Sequence, residues 1–459
     1  MVQTQDSAAV GSMVRRVLPL GIPLAVGFIA QLAISFVDAA LVARLGAREL
    51  AGVTLGLSLF SLVMLFGLGV VTAVTPRVAV AHQAGEPVAL RGWYTQGNWL
   101  ALGVGLLGVC VLLNTRHLLE LIGQNPHLAS VAQEYNCAAA PGLPLFLLYV
   151  NARCLLTGVG KPKPATWAML VAVPVDLVLG YALIFGAGAL PRLGVAGAGM
   201  AGAAVRLLVL VLVTAQIRYG RGFRQLRLRA EPAGPRLVAQ RELLGAGAWI
   251  GVRIVLGEAF VPVLAFFVAP YGVAATAAHT VGLRLESLIT VFALGLSSAA
   301  TTVAAWARED SNWRALSDLR SALLRIGTVY AVGLSALVAV GYGFVVQTLF
   351  GVKDPESVVA AHQLLPYVVA FILVDTLVTL PMGYLVGLSD TRVPALVVAA
   401  GYWVLGLGLG TTLARFTGLG FRGLWLGVIL GAAAVALFCF ARLARHITAI
   451  RDTATEAAP

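Results

Sequence analysis

Charge is scarce in this chain. Asp, Glu, Lys and Arg make up 11% of its 459 residues, where a soluble globular domain carries about 25%. Cysteine is scarce too. The four present, Cys110, Cys137, Cys154 and Cys439, fall in or beside apolar runs without a CxxC spacing, which excludes a disulfide framework or a thiolate metal site and makes them small apolar fillers. The six histidines are scattered and form no HxxxH pair, so a metal centre is not expected. There is no Walker A loop, so ATP does not drive this chain. There is no nucleophile elbow either, and no catalytic residue or cofactor is expected. The formal net charge of +12 does not mark a nucleic-acid binder, because the basic residues sit in short segments between apolar runs and not on one face or tail.

What the chain has in abundance is apolar surface, with 59% hydrophobic residues. No soluble core needs so much, and the excess has to face lipid. Twelve stretches are long and apolar enough to span a bilayer, near 17–43, 50–75, 93–115, 130–156, 165–190, 194–217, 243–269, 272–304, 321–350, 358–387, 393–415 and 419–443. The first is too long for the apolar region of a cleaved signal peptide. The 51 Gly and 20 Pro do not contradict helices, since membrane spans tolerate both. With both termini placed in the cytoplasm, Lys and Arg favour the inner segments by about three to one, as the positive-inside rule requires. The fold class expected is an all-α polytopic membrane protein.

The chain also repeats itself. VARLGARELAGVTLGLSLFSLVMLFGLGVVTAVT (42–75) aligns without gaps on VAPYGVAATAAHTVGLRLESLITVFALGLSSAAT (268–301), pairing Gly46 with Gly272 and Gly69 with Gly295. GVGKPKPA (158–165) echoes GLSDTRVPA (387–395) more weakly. Six spans per half is an even number, so both halves start on the same side and the repeats are parallel, related by a pseudo-twofold along the membrane normal. The organisation expected is a cytoplasmic tail 1–16, a first lobe 17–217, a basic linker 218–242, a second lobe 243–445 and a cytoplasmic tail 446–459. The linker reads first as a positive-inside determinant, second as a site for anionic lipid. Parallel-repeat carriers bind substrate between the halves and alternate access by rocking.

Five acids fall inside spans: Asp38, Asp176, Glu258, Glu286 and Asp375. A charge at mid-bilayer costs roughly 2.5–3.5 kcal/mol on insertion scales, so each is a functional hypothesis. Asp38 and Asp176 belong to the first half and could share a proton or hold a cation. Glu258 and Asp375 belong to the second, and as hard oxygen ligands suit a proton, an alkali cation or a cationic substrate. A structural hydrogen bond is the competing reading for each. Glu286 reads differently: Arg253 lies at comparable depth, and a structural Arg253–Glu286 ion pair is expected. Pro23, fifteen residues before Asp38, removes an amide donor and can act as a hinge.

These segments carry a resemblance. LPLGIPLAVGFIAQLAISFVDAALVARLGARELAGV, with Pro23 and Asp38, resembles the opening of bacterial transporters of the MATE (multidrug and toxic compound extrusion) family. VPVDLVLGYALIFG followed by LGVAGAGMA resembles the fifth and sixth spans. GEAFVPVLAFFVAPYGVAATAAHTVGLRLESL and VDTLVTLPMGYLVGLSDTRVPALV resemble spans seven, eight and ten, with Glu258 and Asp375 at the family acids. The likeness covers about 15–445. It implies a twelve-helix, two-lobed exporter of the cytoplasmic (inner) membrane that exchanges organic cations and amphiphilic drugs for H⁺ or Na⁺. The first-lobe acids are implied in ion coupling and the second-lobe acids in cation binding. It further implies small-molecule and lipid partners, no nucleic acid and a monomer. Ala172 stands where an Asn often precedes the fifth-span acid, and Phe371 offers no oxygen beside Asp375, which thins a Na⁺ ligand set and tilts toward H⁺. The same superfamily contains flippases of lipid-linked substrates, which remain the alternative. They line their cavity with many basic residues, so Arg206, Arg253 and Arg284 would all have to face it here.

Overall fold

The structure, a computed structural model, describes residues 2–187, 191–220, 223, 234–349 and 354–456. The described residues are helical throughout, with no strand. In chain order the spanning elements are α1 (Val2–Ala43), α2 (Ala47–Gln83), α3 (Pro87–Leu112), α4 (Pro126–Ala139 continued by Gly142–Gly158), α5 (Lys163–Phe185), α6 (Gly194–Tyr219), α7 (Leu237–Tyr271), α8 (Val273–Glu309), α9 (Trp313–Phe344), α10 (Pro355–Gly387), α11 (Arg392–Phe416) and α12 (Phe421–Glu456). Eleven are individually long and apolar enough to cross a membrane, and α4 makes a twelfth with a 50° bend between its two parts. The bend falls at Pro141, which has no amide to donate and whose ring crowds the preceding turn. In lipid every backbone N–H and C=O needs an internal partner, and runs this apolar satisfy that only as helices. Large side chains such as Val340 (89% exposed) and Val329 (74%) point outward, as a lipid-facing surface demands.

Each of the twelve sequence-derived runs coincides with one helix, and most helices extend a turn or more beyond the apolar limits. Of the basic linker 218–242, residues 221–222 and 224–233 lie outside the described residues, as do 188–190 and 350 at the ends of two expected spans and 457–459 of the terminal tail. The lipid reading of the linker therefore falls mostly outside them. Its described end is anchored. Gln96, buried on α3, donates Nε2 to the Gly234 carbonyl at 3.0 Å, and its Oε1 accepts from the Arg236 amide at 2.8 Å and from Gln240 Nε2 at 3.0 Å.

The chain divides into two compact units, one formed by Val26–Val252, the other by Met1–Ala25 with Arg253–Pro459. The boundaries run through the middle of α1 and of α7, and the repeat-paired glycines explain how. In the first unit a Cβ on Gly69 of α2 would collide with the backbone of Gly251 in the first part of α7. In the second unit a Cβ on Gly295 of α8 would collide with the backbone of Ala25 in the first part of α1. Each unit thus receives the opening turns of a helix whose remainder belongs to the other, at a point where only glycine lets two helices approach so closely. Gly46 and Gly272, also paired by the repeat, cap α2 and α8 with φ of 143° and 100°, a backbone that a side chain would strain. The weak second echo is structural as well: Gly160 (φ 74°) and Ser389 (φ 63°) both end a helix in the left-handed region.

Candidate functional site

The first unit gathers its two in-span acids around a basic group. Gln31, Ile34, Ser35 and Asp38 follow one face of α1 and line a cavity of about 100 Å³, together with Phe60, Ser61 and Met64 of α2 and Arg206 of α6. Asp176, on α5, is 0% exposed, and neither carboxylate oxygen has a hydrogen-bond partner among the described residues. Asp38, Asp176 and Arg206 interact electrostatically with one another, and all three with Tyr135 of α4. Asp38 and Asp176, which the sequence puts in the same half, are electrostatic neighbours here. Arg206, Tyr135 and the aromatic Phe60 are members that sequence reasoning did not assign. A carboxylate sealed from water without a donor is stable only with a proton or a nearby cation, so this arrangement suits exchange of one or the other.

The second unit collects three acids. Asp375 on α10 accepts from Tyr402 Oη at 3.2 Å on one oxygen, and from Thr290 Oγ1 at 3.0 Å on the other. Thr379 Oγ1 stands 3.5 Å from that second oxygen. Thr290 Oγ1 also lies 2.7 Å from Glu286 Oε1. A hydroxyl has one proton to give. If Thr290 donates to Glu286, its contact with Asp375 becomes a hydrogen bond only when Asp375 carries a proton and donates back. The geometry therefore fits a proton shared across the pair. Glu258, exposed on α7, interacts electrostatically with Asp375 and with Glu286.

One expectation is corrected here. No ion pair joins Arg253 to Glu286. Arg253 is neighboured by Tyr402 and Cys439, while Glu286 faces Asp375 and Glu258. Equal depth on adjacent helices fixes height in the membrane but not the direction in which a side chain points. Glu286 thus sits in one grouping with Glu258 and Asp375. Thr290 and Thr379, one turn after Glu286 and Asp375, were the signal available in sequence. Tyr402 gave none: it sits in a π-helical stretch of α11, Ala399–Gly406, whose widened turn carries its hydroxyl to Asp375.

Pro23 lies within α1, which continues helically through Pro19 and Pro23. Lacking an N–H, Pro23 removes the helical donor for the Pro19 carbonyl. The unit boundary at Ala25 follows two residues later. Ala172, buried one turn before Asp176, contributes no oxygen, and Phe371 packs edge-on against Trp425 and away from any ligand role. A wider depression of about 560 Å³ at the junction of α7 and α8, lined by Ala269, Gly272, Thr276 and Thr280, holds no ionisable side chain and takes no part in either acid grouping. Outside the spans, Asp390 in the turn between α10 and α11 accepts from Arg442 Nε and lies 2.9 Å from His446 Nε2. Burial works to raise its carboxyl, but the bonds from His446 and Arg442 and the Arg442 charge prevail and hold it below the usual carboxylate range. Among the described residues no cluster of His, Cys, Asp and Glu could hold a metal ion.

Fold and sites together define a multi-pass, all-helical membrane protein with carboxylates of its spans gathered in each of its two units. The chain belongs to the MATE family: the MatE family profile matches residues 23–182 and 260–412. Two relatives, each named "Probable multidrug resistance protein NorM", are similar over nearly their whole length. That of Agrobacterium fabrum is 30% identical over 428 residues, covering 93% of this chain and 92% of the relative. That of Bradyrhizobium diazoefficiens is 30% identical over 437 residues, covering 94% and 93%. Among solved structures, the eukaryotic MATE transporter AtDTX14 shares the fold with a TM-score of 0.84 at 18% identity, covering 97% of this chain and 99% of that one.

Proposed function

We propose that this chain is a secondary active antiporter that exports organic cations and amphiphilic drugs across the cytoplasmic membrane in exchange for H⁺ or Na⁺. The two NorM relatives, named for multidrug resistance, support the substrate class. The observation that carries the ion coupling is Asp176, sealed from solvent with both oxygens unpartnered and electrostatically joined to Asp38. Such a group changes its environment only by gaining or losing a cation, and a conformational change that alters its affinity is thereby linked to an ion gradient. Asp38 and Asp176 act as the ion-coupling pair, Glu258 and Asp375 as the cation-binding pair joined by Glu286, and Pro23 as the hinge of α1. Lobes 17–217 and 243–445, joined by the linker 218–242 and related by a pseudo-twofold along the membrane normal, alternate access by a rocker-switch movement, with both termini cytoplasmic and the protein acting as a monomer in lipid. No residue serves as a catalyst. A single carboxylate suffices for a proton, whereas Na⁺ needs several oxygens that Ala172 and Phe371 do not supply, and this favours H⁺.

The test is transport of a fluorescent cation in vesicles with pH and Na⁺ gradients imposed separately. Accumulation driven by an imposed pH gradient alone is the expected result. Transport under neither gradient, with the protein demonstrably inserted, removes the antiporter reading.

A further inference from the structure

Of the three arginines inside spans, Arg206 and Arg253 are half-buried and Arg284 is exposed. Arg284 makes no ion pair among the described residues. The acids of its own unit do not use it: Glu286, two residues on, turns about 200° away around α8, toward Asp375 and Glu258. Arg284 lies about 16 Å along α8 from its start at Val273, near the middle of a hydrocarbon core about 30 Å thick. An unpaired charge at that depth belongs beside water. The rest of its face agrees. Thr276, Thr280, Arg284 and Ser287 recur at helical spacing on one side of α8, whereas every exposed residue of α9 from Val329 to Phe344 is apolar, as lipid demands. The depression of about 560 Å³ lies on the same face, with Val273, Thr276, Ala277 and Thr280 in its wall. Arg284 stands one turn beyond Thr280, and helical side chains lean toward the N-terminus of their helix, so its stem runs back toward the depression. The hydroxyls on this face have committed their protons. Thr276 Oγ1 donates to the Gly272 carbonyl at 3.0 Å, Thr280 Oγ1 to the Thr276 carbonyl at 2.9 Å and Ser287 Oγ to the Leu283 carbonyl at 2.9 Å. They offer a ligand acceptor lone pairs only. Arg284 is the charged donor of the face.

We propose that Arg284 and the adjoining depression form a subsite for the carboxylate of an amphiphilic ligand, which makes Arg284 a specificity-determining residue. This rests on the reading that the chain exports amphiphilic organic molecules, and it names a group that those molecules carry and the side chain that receives it. The walls set the body of the ligand. A hollow of this size whose lining is mostly apolar, with Ala269, Val273, Ala277 and Val281, suits an apolar ring system held by few polar contacts. The donor sets its end group. A planar guanidinium presents parallel N–H groups that match one carboxylate in two hydrogen bonds. One such group balances a monoanion and leaves the second charge of a phosphate ester uncompensated. Its depth also keeps lipid headgroups, which stay at the interface, out of reach. The two kinds of charge in this unit thus serve different ends of a substrate: Glu258, Asp375 and Glu286 a cationic group, Arg284 a carboxylate.

The experiment is equilibrium binding of two dyes to the purified full-length chain, read by fluorescence anisotropy. One is a rhodamine with a free carboxylate, the other the methyl ester of the same dye. Wild type should bind the carboxylate dye several-fold more tightly than the ester. Arg284→Gln should weaken the carboxylate dye about tenfold or more, as loss of a charge-assisted pair of hydrogen bonds implies, and should spare the ester. Arg284→Lys, which keeps the charge and loses the planar fork, should retain part of the preference. Equal weakening of both dyes by Arg284→Gln overturns the proposal, because it would show that Arg284 shapes the protein and does not recognise the carboxylate. So does an Arg284→Gln protein that keeps the wild-type preference. A wild type that binds the ester as tightly as the carboxylate dye overturns it as well, and that arm decides the matter even if no variant folds. Binding needs no ion gradient. A vesicle assay in which neither dye is moved would therefore remove the export reading and leave Arg284 to be judged by the preference between the two dyes.

Discussion

Asp38→Asn imitates the protonated acid permanently. Neutral Asn is cheaper to bury than a carboxylate, so the variant should insert at wild-type levels. Gradient-driven dye efflux should be abolished, while equilibrium dye binding persists through Glu258 and Asp375. Efflux at the wild-type rate, with equal protein in the membrane, would take Asp38 out of the mechanism. In the second unit, Thr290→Val keeps the volume and deletes the hydroxyl that touches both Glu286 and Asp375. Hydrogen bonds to charged groups are worth about 1.5–3 kcal/mol. Cation affinity, measured by dye titration, should therefore change by about tenfold or more, and Thr290→Ser should restore it. An unchanged affinity would mean that the acids do not act through this hydroxyl. The acids themselves were legible in sequence, because a carboxylate in a long apolar run advertises its cost. Their partners were not. Tyr402 and Tyr135 reach the acids from other helices, and the misassigned Arg253–Glu286 pair shows that height in a span says little about which way a side chain turns.

At the scale of elements, the close approaches make sharp predictions. Gly69→Ala places a methyl against the Gly251 backbone, and Gly295→Ala places one against that of Ala25. Overpacking of this kind costs typically about 1–3 kcal/mol, so each should lower the melting temperature of the detergent-purified protein, whereas Gly103→Ala, which meets nothing, should be neutral or stabilising. The turn between α10 and α11 is pinned to α12 by Asp390. Because its folded carboxyl is held below the ordinary value, its contribution is complete above about pH 4 and is lost as pH falls through the lower folded value. Asp390→Asn should thus melt earlier than wild type at neutral pH, and the gap should close in acid. A gap independent of pH down to about 3 would show that the charge is not what holds the turn. The number and order of the helices were readable, since apolar runs near 20 residues have one solution in lipid, but their ends, which run on into polar flanks, were not. The break in α4 at Pro141 and the π stretch of α11 were not, because both depend on how backbone is re-satisfied after folding.

At the scale of the molecule, the bias of Lys and Arg predicts that both termini lie in the cytoplasm. A fluorescent protein fused after α12 should glow and an alkaline phosphatase fused there should be inactive, with the reverse pattern after α3. An active phosphatase at the carboxyl end would invert the orientation. The internal repeat was visible because a few glycines recur in register, and the structure gives those glycines the same tasks in both units. What the repeat could not reveal is that the units do not begin and end with the halves of the chain.

That last feature bears on how the protein is made. Met1–Ala25 belongs to one unit with Arg253–Pro459, so residues made early find these neighbours only after Val26–Val252 has been synthesised. The opening turns of α1 must wait in the bilayer, and Gly21 and Ala25 meet Leu296 and Gly295 only once α8 has been inserted. The unit bounded by Val26–Val252 is complete as soon as α7 has begun to emerge. Biogenesis therefore has an order written into it. The segment Val26–Val252 closes first, and the opening turns of α1 close later, upon α8.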